Sequence, residues 1–167
     1  MKENGTITNI FLSGVGGQGA ILASNILGEV FLNAGYDVKK AEVHGMSQRG
    51  GSVNTDVRFG REVLSPMVPD GQLDALVLVD ETQEPVNRHR LRPDGCLIGP
   101  AAVANMALPN PKTLNVALLG LLSAQLPLPI EAWHEAIRHA LPEKAHAANL
   151  GAFDLGRRHG KTANGES

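Results

Sequence analysis

The sequence predicts an α/β protein: a three-layer, Rossmann-like α/β/α arrangement with an open, mostly parallel or mixed sheet. Three observations carry that reading. Apolar, β-branched runs alternate with helical-period segments along most of the chain. The first run breaks into a glycine-rich turn, "GVGGQG" at 14–19, that opens a helical segment. A later run, "LDALVLVD" at 73–80, is almost all apolar until Asp80, as expected of a strand buried on both faces.

The elements follow in order. "TITNIFLSG" (6–14) is β-branched and apolar and stops at glycine, which predicts strand 1. In "QGAILASNILGEVFLNAG" (18–35), Ile21, Leu22, Ile26, Leu27, Val30 and Phe31 fall at helical spacing, and Gly35 suits a left-handed C-terminus. "YDVKKAEV" (36–43) reads as strand 2, weakened by its two lysines. "HGMSQRGG" (44–51) is a second glycine-rich loop. "SVNTDVRFG" (52–60) alternates, with Val53, Thr55, Val57 and Phe59 on one face; this predicts a half-covered strand near an edge.

"SPMVPDGQ" (65–72) is a loop by its prolines and glycine. After the strand at 73–80, a short helix is expected around 84–90, a brief strand at 95–100 and an irregular stretch at 101–112. "NVALLGLLSAQLP" (115–127) is a strongly apolar helix. "PIEAWHEAIRHALP" (129–142) is amphipathic, with Trp133, Ile137 and Leu141 in register, Pro129 at its start and Glu131 at the positive end of its dipole. Trp133 belongs to the core. A last helix is expected over 144–157, and "HGKTANGES" (159–167) has the composition of a frayed tail. The sequence shows no internal repeat and no linker, so residues 1–160 are expected to form a single domain and 161–167 a tail.

Composition bounds the function. The chain has 167 residues, enough for a real core, with 43% hydrophobic and 19% charged residues. Its net charge of −2, with both signs mixed, argues against a nucleic-acid partner. Cys96 is the only cysteine, which excludes an internal disulfide and a cysteine-ligated iron–sulfur cluster within this chain. A buried structural thiol is the expected role of Cys96. No apolar stretch approaches the length of a membrane span, and "MKENGTITN" is too polar for a signal peptide, so a cytoplasmic protein is expected.

Two loops carry the candidate chemistry. Gly14, Gly16 and Gly19 fit G-x-G-x-x-G between a strand and a helix, and Gly17 and Gln18 complete the turn. Glycines let backbone approach an anion, and the helix N-terminus offers free N–H groups and positive potential. The same glycines also serve a plain tight turn, so the motif alone leaves both readings open. Glu42 lies near the end of strand 2, about where the dinucleotide fingerprint places the acid that holds a ribose hydroxyl, ~20 residues on. In the second loop His44, Gln48 and Arg49 sit among Gly45, Gly50 and Gly51. Arg49 is suited to clamp a carboxylate or phosphate and His44 to exchange protons near neutrality; a local ion pair and an exposed loop residue are the alternatives. Loops at the carboxyl ends of strands line the crevice of an open α/β sheet, so the loops after strands 1 and 2 are expected to be neighbours. His89, His134, His139, His146 and His159 show no metal-site spacing, and no metal site is expected.

Segment 14–60, from "GVGGQGAILASNILG" to "EVHGMSQRGGSVNTDVRFG", resembles the gamma-type subunit of 2-oxoacid:ferredoxin oxidoreductases. Segment 115–156 resembles the C-terminal portion of that subunit, and the form "EVHGMSQRGGSV" is most similar to the indolepyruvate branch. The paired loops are far more specific together than either alone. The resemblance implies oxidative decarboxylation of a 2-oxoacid, with coenzyme A accepting the acyl group as co-substrate and ferredoxin the electrons. It implies thiamine diphosphate, Mg²⁺ and [4Fe–4S] clusters on a large partner subunit, with none bound tightly by this chain. "PDGQLDA" (69–75) has the wrong order for a thiamine-diphosphate motif. In that setting Gly14, Gly16, Gly17, Gln18 and Gly19 would face an anionic cofactor or coenzyme A, and His44, Gln48 and Arg49 would steady a carboxylate or phosphate. A stand-alone dinucleotide-binding oxidoreductase and a non-catalytic binding module remain the competing expectations.

Overall fold

The structure, a computed structural model, describes residues 6–46 and 50–163. Its strands are β1 (Thr8–Val15), β2 (Asp37–His44), β3 (Ser52–Gly60), β4 (Leu73–Leu78) and β5 (Leu91–Ile98). Its α-helices are α1 (Ala20–Asn33), α2 (Glu84–Asn87), α3 (Leu114–Ser123), α4 (Ile130–Ala140) and α5 (His146–Ala163), joined in places by single 3-10 turns. The strands form one mixed sheet in the order β2-β3-β1-β4-β5. β1, β4 and β5 are parallel, while β3 runs against both β2 and β1. Because β3 opposes both neighbours, β1 and β2 point the same way. The ends of β1, β2, β4 and β5 and the start of β3 therefore share one edge.

β3 corrects one expectation. It lies inside the sheet, and β2 takes the edge. Val53, Thr55, Val57 and Phe59 do share a buried face. The alternating polar residues do not face water, however. Asn54 Oδ1 accepts from Ser13 Oγ at 2.6 Å, Asp56 pairs with Arg90 at 2.9 Å, and Arg58 Nε donates to Asn9 Oδ1 at 2.9 Å. The period of two thus records a polar network between strands, where the sequence pattern alone suggests solvent.

The two faces are covered unequally. The long helices α1, α3, α4 and α5 pack on one face in a core that includes Ile10, Leu12, Val57, Val77, Phe31, Leu118, Trp133 and Phe153. Phe31 stacks on Phe59 and Trp133 on Phe153. The other face carries a small cluster of Phe11, Leu76 and Leu78 beneath Val68 of the loop before β4. Short α2 lies on that side, where Asn87 Nδ2 reaches Ser13 Oγ at 3.3 Å. Arg90 completes the cover, its guanidinium 4.1 Å from the Phe11 ring centre.

Glycines set the closest helix contact. A Cβ at Gly156 would lie 2.0 Å from the Ala117 carbonyl oxygen, and one at Gly120 2.2 Å from that of Phe153. α3 and α5 therefore touch backbone to backbone. Gly160 continues the contact, its Cβ position 2.9 Å from Leu121 O. This explains a second correction: residues 159–163, read as tail, are helical because their glycine packs against α3. The helix ends elsewhere fall close to expectation, and Gly35 follows α1 with φ 86°.

Candidate functional site

The site is built at the shared strand edge. β1 runs out at Val15, and the chain turns through Gly16–Gly19 into α1. Gly17 and Gly19 have φ of 89° and 83°, a region that L side chains rarely adopt. β2 ends at His44, and its loop returns as β3 beside β1, with Val15 opposite Ser52 and His44 opposite Val53. The two glycine loops meet directly: Gly16 N donates to Gly51 O at 3.0 Å. The expected neighbourhood of the loops is therefore present, although a hairpin between β2 and β3 produces it and not a pair of adjacent parallel strands.

Gln18 has a different place from the one its motif suggests. Its Oε1 accepts from Val15 N at 2.8 Å, and its Nε2 donates to Asp80 Oδ2 at 2.7 Å. The side chain braces the turn against the end of β4. Asp80 Oδ1 also accepts from the hydroxyl and the N–H of Thr82. The Thr82 hydroxyl first, then Gln18 and the Thr82 N–H, hold the Asp80 carboxyl below its ordinary range. Glu81 Oε1 accepts from Ala101 N at 3.1 Å and ties the ends of β4 and β5 together.

The backbone donors remain. No backbone partner among the described residues meets the N–H of Gly17 or Gly19. Gly19 is the N-cap of α1 without a side-chain cap, so the head of the helix presents its first N–H groups uncapped. A Cβ on Gly17 would meet nothing within 4 Å, which leaves that side of the turn open. Gly14 serves packing: its Cβ position lies 3.2 Å from Val79 Cβ. A turn of this shape suits phosphate or carboxylate oxygens.

His44 closes the edge at β2. Its Nε2 lies 3.1 Å from Glu42 Oε1, and Glu42 Oε2 lies 3.7 Å from Lys40 Nζ. Lys40 also reaches Asn25 Oδ1 on α1. Burial lowers the Lys40 pKa, against the opposing pull of Glu42. Glu42 is thus engaged by two neighbours, His44 and Lys40. Gln48 and Arg49 lie outside the described residues; Gly50 and Gly51 place the end of their loop against Val15 and Gly16.

Asp80 and Asn115 were missed by sequence reasoning. Asp80 had a faint signal, as the first charge after an apolar strand at its carboxyl end. Asn115 had one too, as a polar residue opening an otherwise apolar helix. Its Nδ2 donates to Gly19 O at 3.0 Å.

Elsewhere the candidates are quiet. Cys96 packs against the main core, and burial pushes its thiol pKa up. Among the described residues no group of three His, Cys, Asp or Glu side chains is arranged to hold a metal ion. His134 pairs with Asp154 at 2.6 Å. A cavity of about 460 Å³ between α4 and α5, lined by Pro129, Glu131, Asp154, Arg158 and Lys161, contains none of the candidate residues. Among the described residues no helix is long and apolar enough to cross a membrane.

The sequence matches the profile of the family described as pyruvate ferredoxin/flavodoxin oxidoreductase over residues 9–109 and 100–159. The indolepyruvate oxidoreductase subunit IorB of Pyrococcus horikoshii is 35% identical over 188 residues, covering 89% of this chain and 93% of that one. The gamma subunit of the keto/oxoacid ferredoxin oxidoreductase of Geobacter sulfurreducens has the same fold, with a TM-score of 0.70 at 22% identity over 93% of this chain and 99% of that one. The 2-oxoglutarate:ferredoxin oxidoreductase of Magnetococcus marinus, solved with 2-oxoglutarate, coenzyme A and succinyl-CoA bound, gives a TM-score of 0.80 at 18% identity. That likeness covers 96% of this chain and 32% of that one.

Proposed function

The chain belongs to the pyruvate ferredoxin/flavodoxin oxidoreductase family, and on that premise we propose that it is the cluster-free, gamma-type subunit of a 2-oxoacid:ferredoxin oxidoreductase. Its substrate on this reading is indolepyruvate or a related aryl-2-oxoacid. The 2-oxoacid is decarboxylated and oxidised, coenzyme A takes the acyl group, and ferredoxin takes the electrons. The subunit works in the cytoplasm and joins a large partner that carries thiamine diphosphate, Mg²⁺ and [4Fe–4S] clusters.

One observation supports this most: the hydrogen bond from Gly16 N to Gly51 O, which brings the two glycine loops to one strand edge. The residues present suit an anionic ligand there. Gly17 and Gly19 offer backbone N–H groups at the head of α1, and Gln18 stiffens the turn without entering it. The diphosphate or 3′-phosphate of coenzyme A matches those donors. Arg49, Gln48 and His44 are assigned to the second loop's side of the site, where Arg49 would pair bidentately with a carboxylate or phosphate.

The residues do not suit the clusters or the carbanion chemistry. One cysteine cannot ligate a [4Fe–4S] cluster. Thiamine diphosphate, on the partner, supplies the electron sink for decarboxylation. This chain's own work is then to bind, orient and exclude water at the place where coenzyme A meets the acyl group.

Co-expression with the candidate large subunit tests the reading. Anaerobic reduction of ferredoxin or a viologen dye is followed with indolepyruvate and coenzyme A, for the pair and for each subunit alone. Activity from the pair only is expected. Association without turnover of any 2-oxoacid favours the binding module, and tight NAD(P)H binding by the chain alone favours the stand-alone oxidoreductase.

A further inference from the structure

We propose that Asn115 is a positioning residue for the first glycine loop, acting through Gly19 on the head of α1; this rests on the reading that the loop receives an anionic ligand. Asn115 is the second residue of α3, is 3% exposed, and lies 96 residues from Gly19 in the chain. Its Nδ2 donates to the Gly19 carbonyl at 3.0 Å. The same carbonyl accepts the first helical bond, from Ala23 N at 3.0 Å. Two donors therefore fix the Gly19–Ala20 peptide plane. In a trans peptide the N–H points opposite to the C=O. Holding the Gly19 carbonyl down the helix thus aims the Ala20 N–H out of its head, where an anion is recognised.

The contact also explains why position 19 has no side chain. A Cβ there would lie 2.4 Å from Asn115 Nδ2. Asn115 and Gly19 form one fitted pair across α1 and α3. The other end of the carboxamide is not satisfied: Asn115 Oδ1 is buried and has no hydrogen-bond partner among the described residues. Burying an unmet acceptor is unfavourable, and an apolar side chain in this apolar helix would avoid it. The nitrogen's hold on Gly19 is what the residue contributes.

The test uses the reconstituted complex and the full chain. Asn115→Ala is expected to raise the KM for coenzyme A about 10-fold. The KM for the 2-oxoacid and kcat stay within about twofold, as expected of a lost binding contact. Hydrogen exchange of the full chain should quicken at Ala23, whose N–H donates to the Gly19 carbonyl, and remain unchanged in β4. Asn115→Asp keeps the shape but sets an oxygen against the Gly19 carbonyl; it carries the test if the alanine variant does not fold, with the same expected rise. Gly19→Ala and the double variant complete a cycle in which the two changes must not add. An active wild type whose Asn115 variants keep the wild-type coenzyme A KM and wild-type exchange overturns the role of Asn115 alone. A wild-type complex indifferent to coenzyme A overturns the ligand reading beneath it.

Discussion

Gln18 Nε2 donates to Asp80 Oδ2 at 2.7 Å, so the turn after β1 is fastened to the end of β4 by a side chain that its motif presents as a ligand contact. The same carboxamide accepts from Val15 N at 2.8 Å. Gln18→Ala removes both bonds at an exposed site and should destabilise the chain by about 1 kcal/mol, read from denaturant unfolding. Asp80 adds a pH dependence with a definite sign. Its folded pKa is depressed, so its contribution is present above the unfolded pKa and lost as pH falls through the folded one. The wild type should therefore lose part of its stability on acidification below about pH 4, and Asp80→Asn should flatten that limb. Unfolding midpoints measured against pH, with equal slopes for the two proteins, would count against it.

Arg90 fastens the thin face of the sheet. It pairs with Asp56 at 2.9 Å, donates to Val68 O at 3.0 Å and lies over Phe11. Burial pushes the Asp56 pKa up, and the Arg90 charge is the largest influence opposing it. Arg90→Ala would leave that carboxyl buried without its partner. A loss of about 3–5 kcal/mol is expected, or more than 6 °C in Tm at roughly 2–4 °C per kcal/mol. Calorimetry decides this; a shift below 2 °C would mean the pair contributes little.

Gly156→Ala should be among the most damaging single substitutions. Its Cβ would lie 2.0 Å from Ala117 O, and backbone on both sides has no rotamer through which to yield. The helices must part, with a loss of about 3 kcal/mol or more. Gly151→Ala is the control, because its Cβ position is 3.6 Å from Pro109 Cγ, ordinary contact. Comparable soluble expression and melting of the two variants would refute the close contact.

Arg49 carries the charge assigned to the second loop. In the reconstituted complex Arg49→Ala should lower kcat/KM for coenzyme A or for the 2-oxoacid by about 10- to 100-fold, the range of a lost charged hydrogen bond. Arg49→Lys should recover only part of it, because an ammonium keeps the charge and loses the two-pronged geometry. Steady-state kinetics with each substrate varied in turn show which ligand it holds. Unchanged values for both remove Arg49 from the site.

Much was legible in the sequence because local chemistry dictates it. The glycine turn after β1, the helical spacing of α1 and the apolar run of β4 each follow from backbone freedom and side-chain periodicity over a few residues. The sequence also anticipated both glycine loops at one edge, but the antiparallel β3 between β2 and β1 is what brings them together. What the tertiary structure decided concerns partners distant in sequence. The polar face of β3 meets Asn9, Ser13 and Arg90 where its pattern suggested water. Gly120, Gly156 and Gly160 have no assigned role until α3 and α5 are brought together. Gln18 reads as a ligand until Asp80 is placed beside it, and Asn115 has no visible role until Gly19 lies under it. Periodicity reports that the two faces of an element differ; only the fold determines what each face meets, because the same alternation arises whether polar side chains reach water or the hydrogen-bonding groups of remote residues.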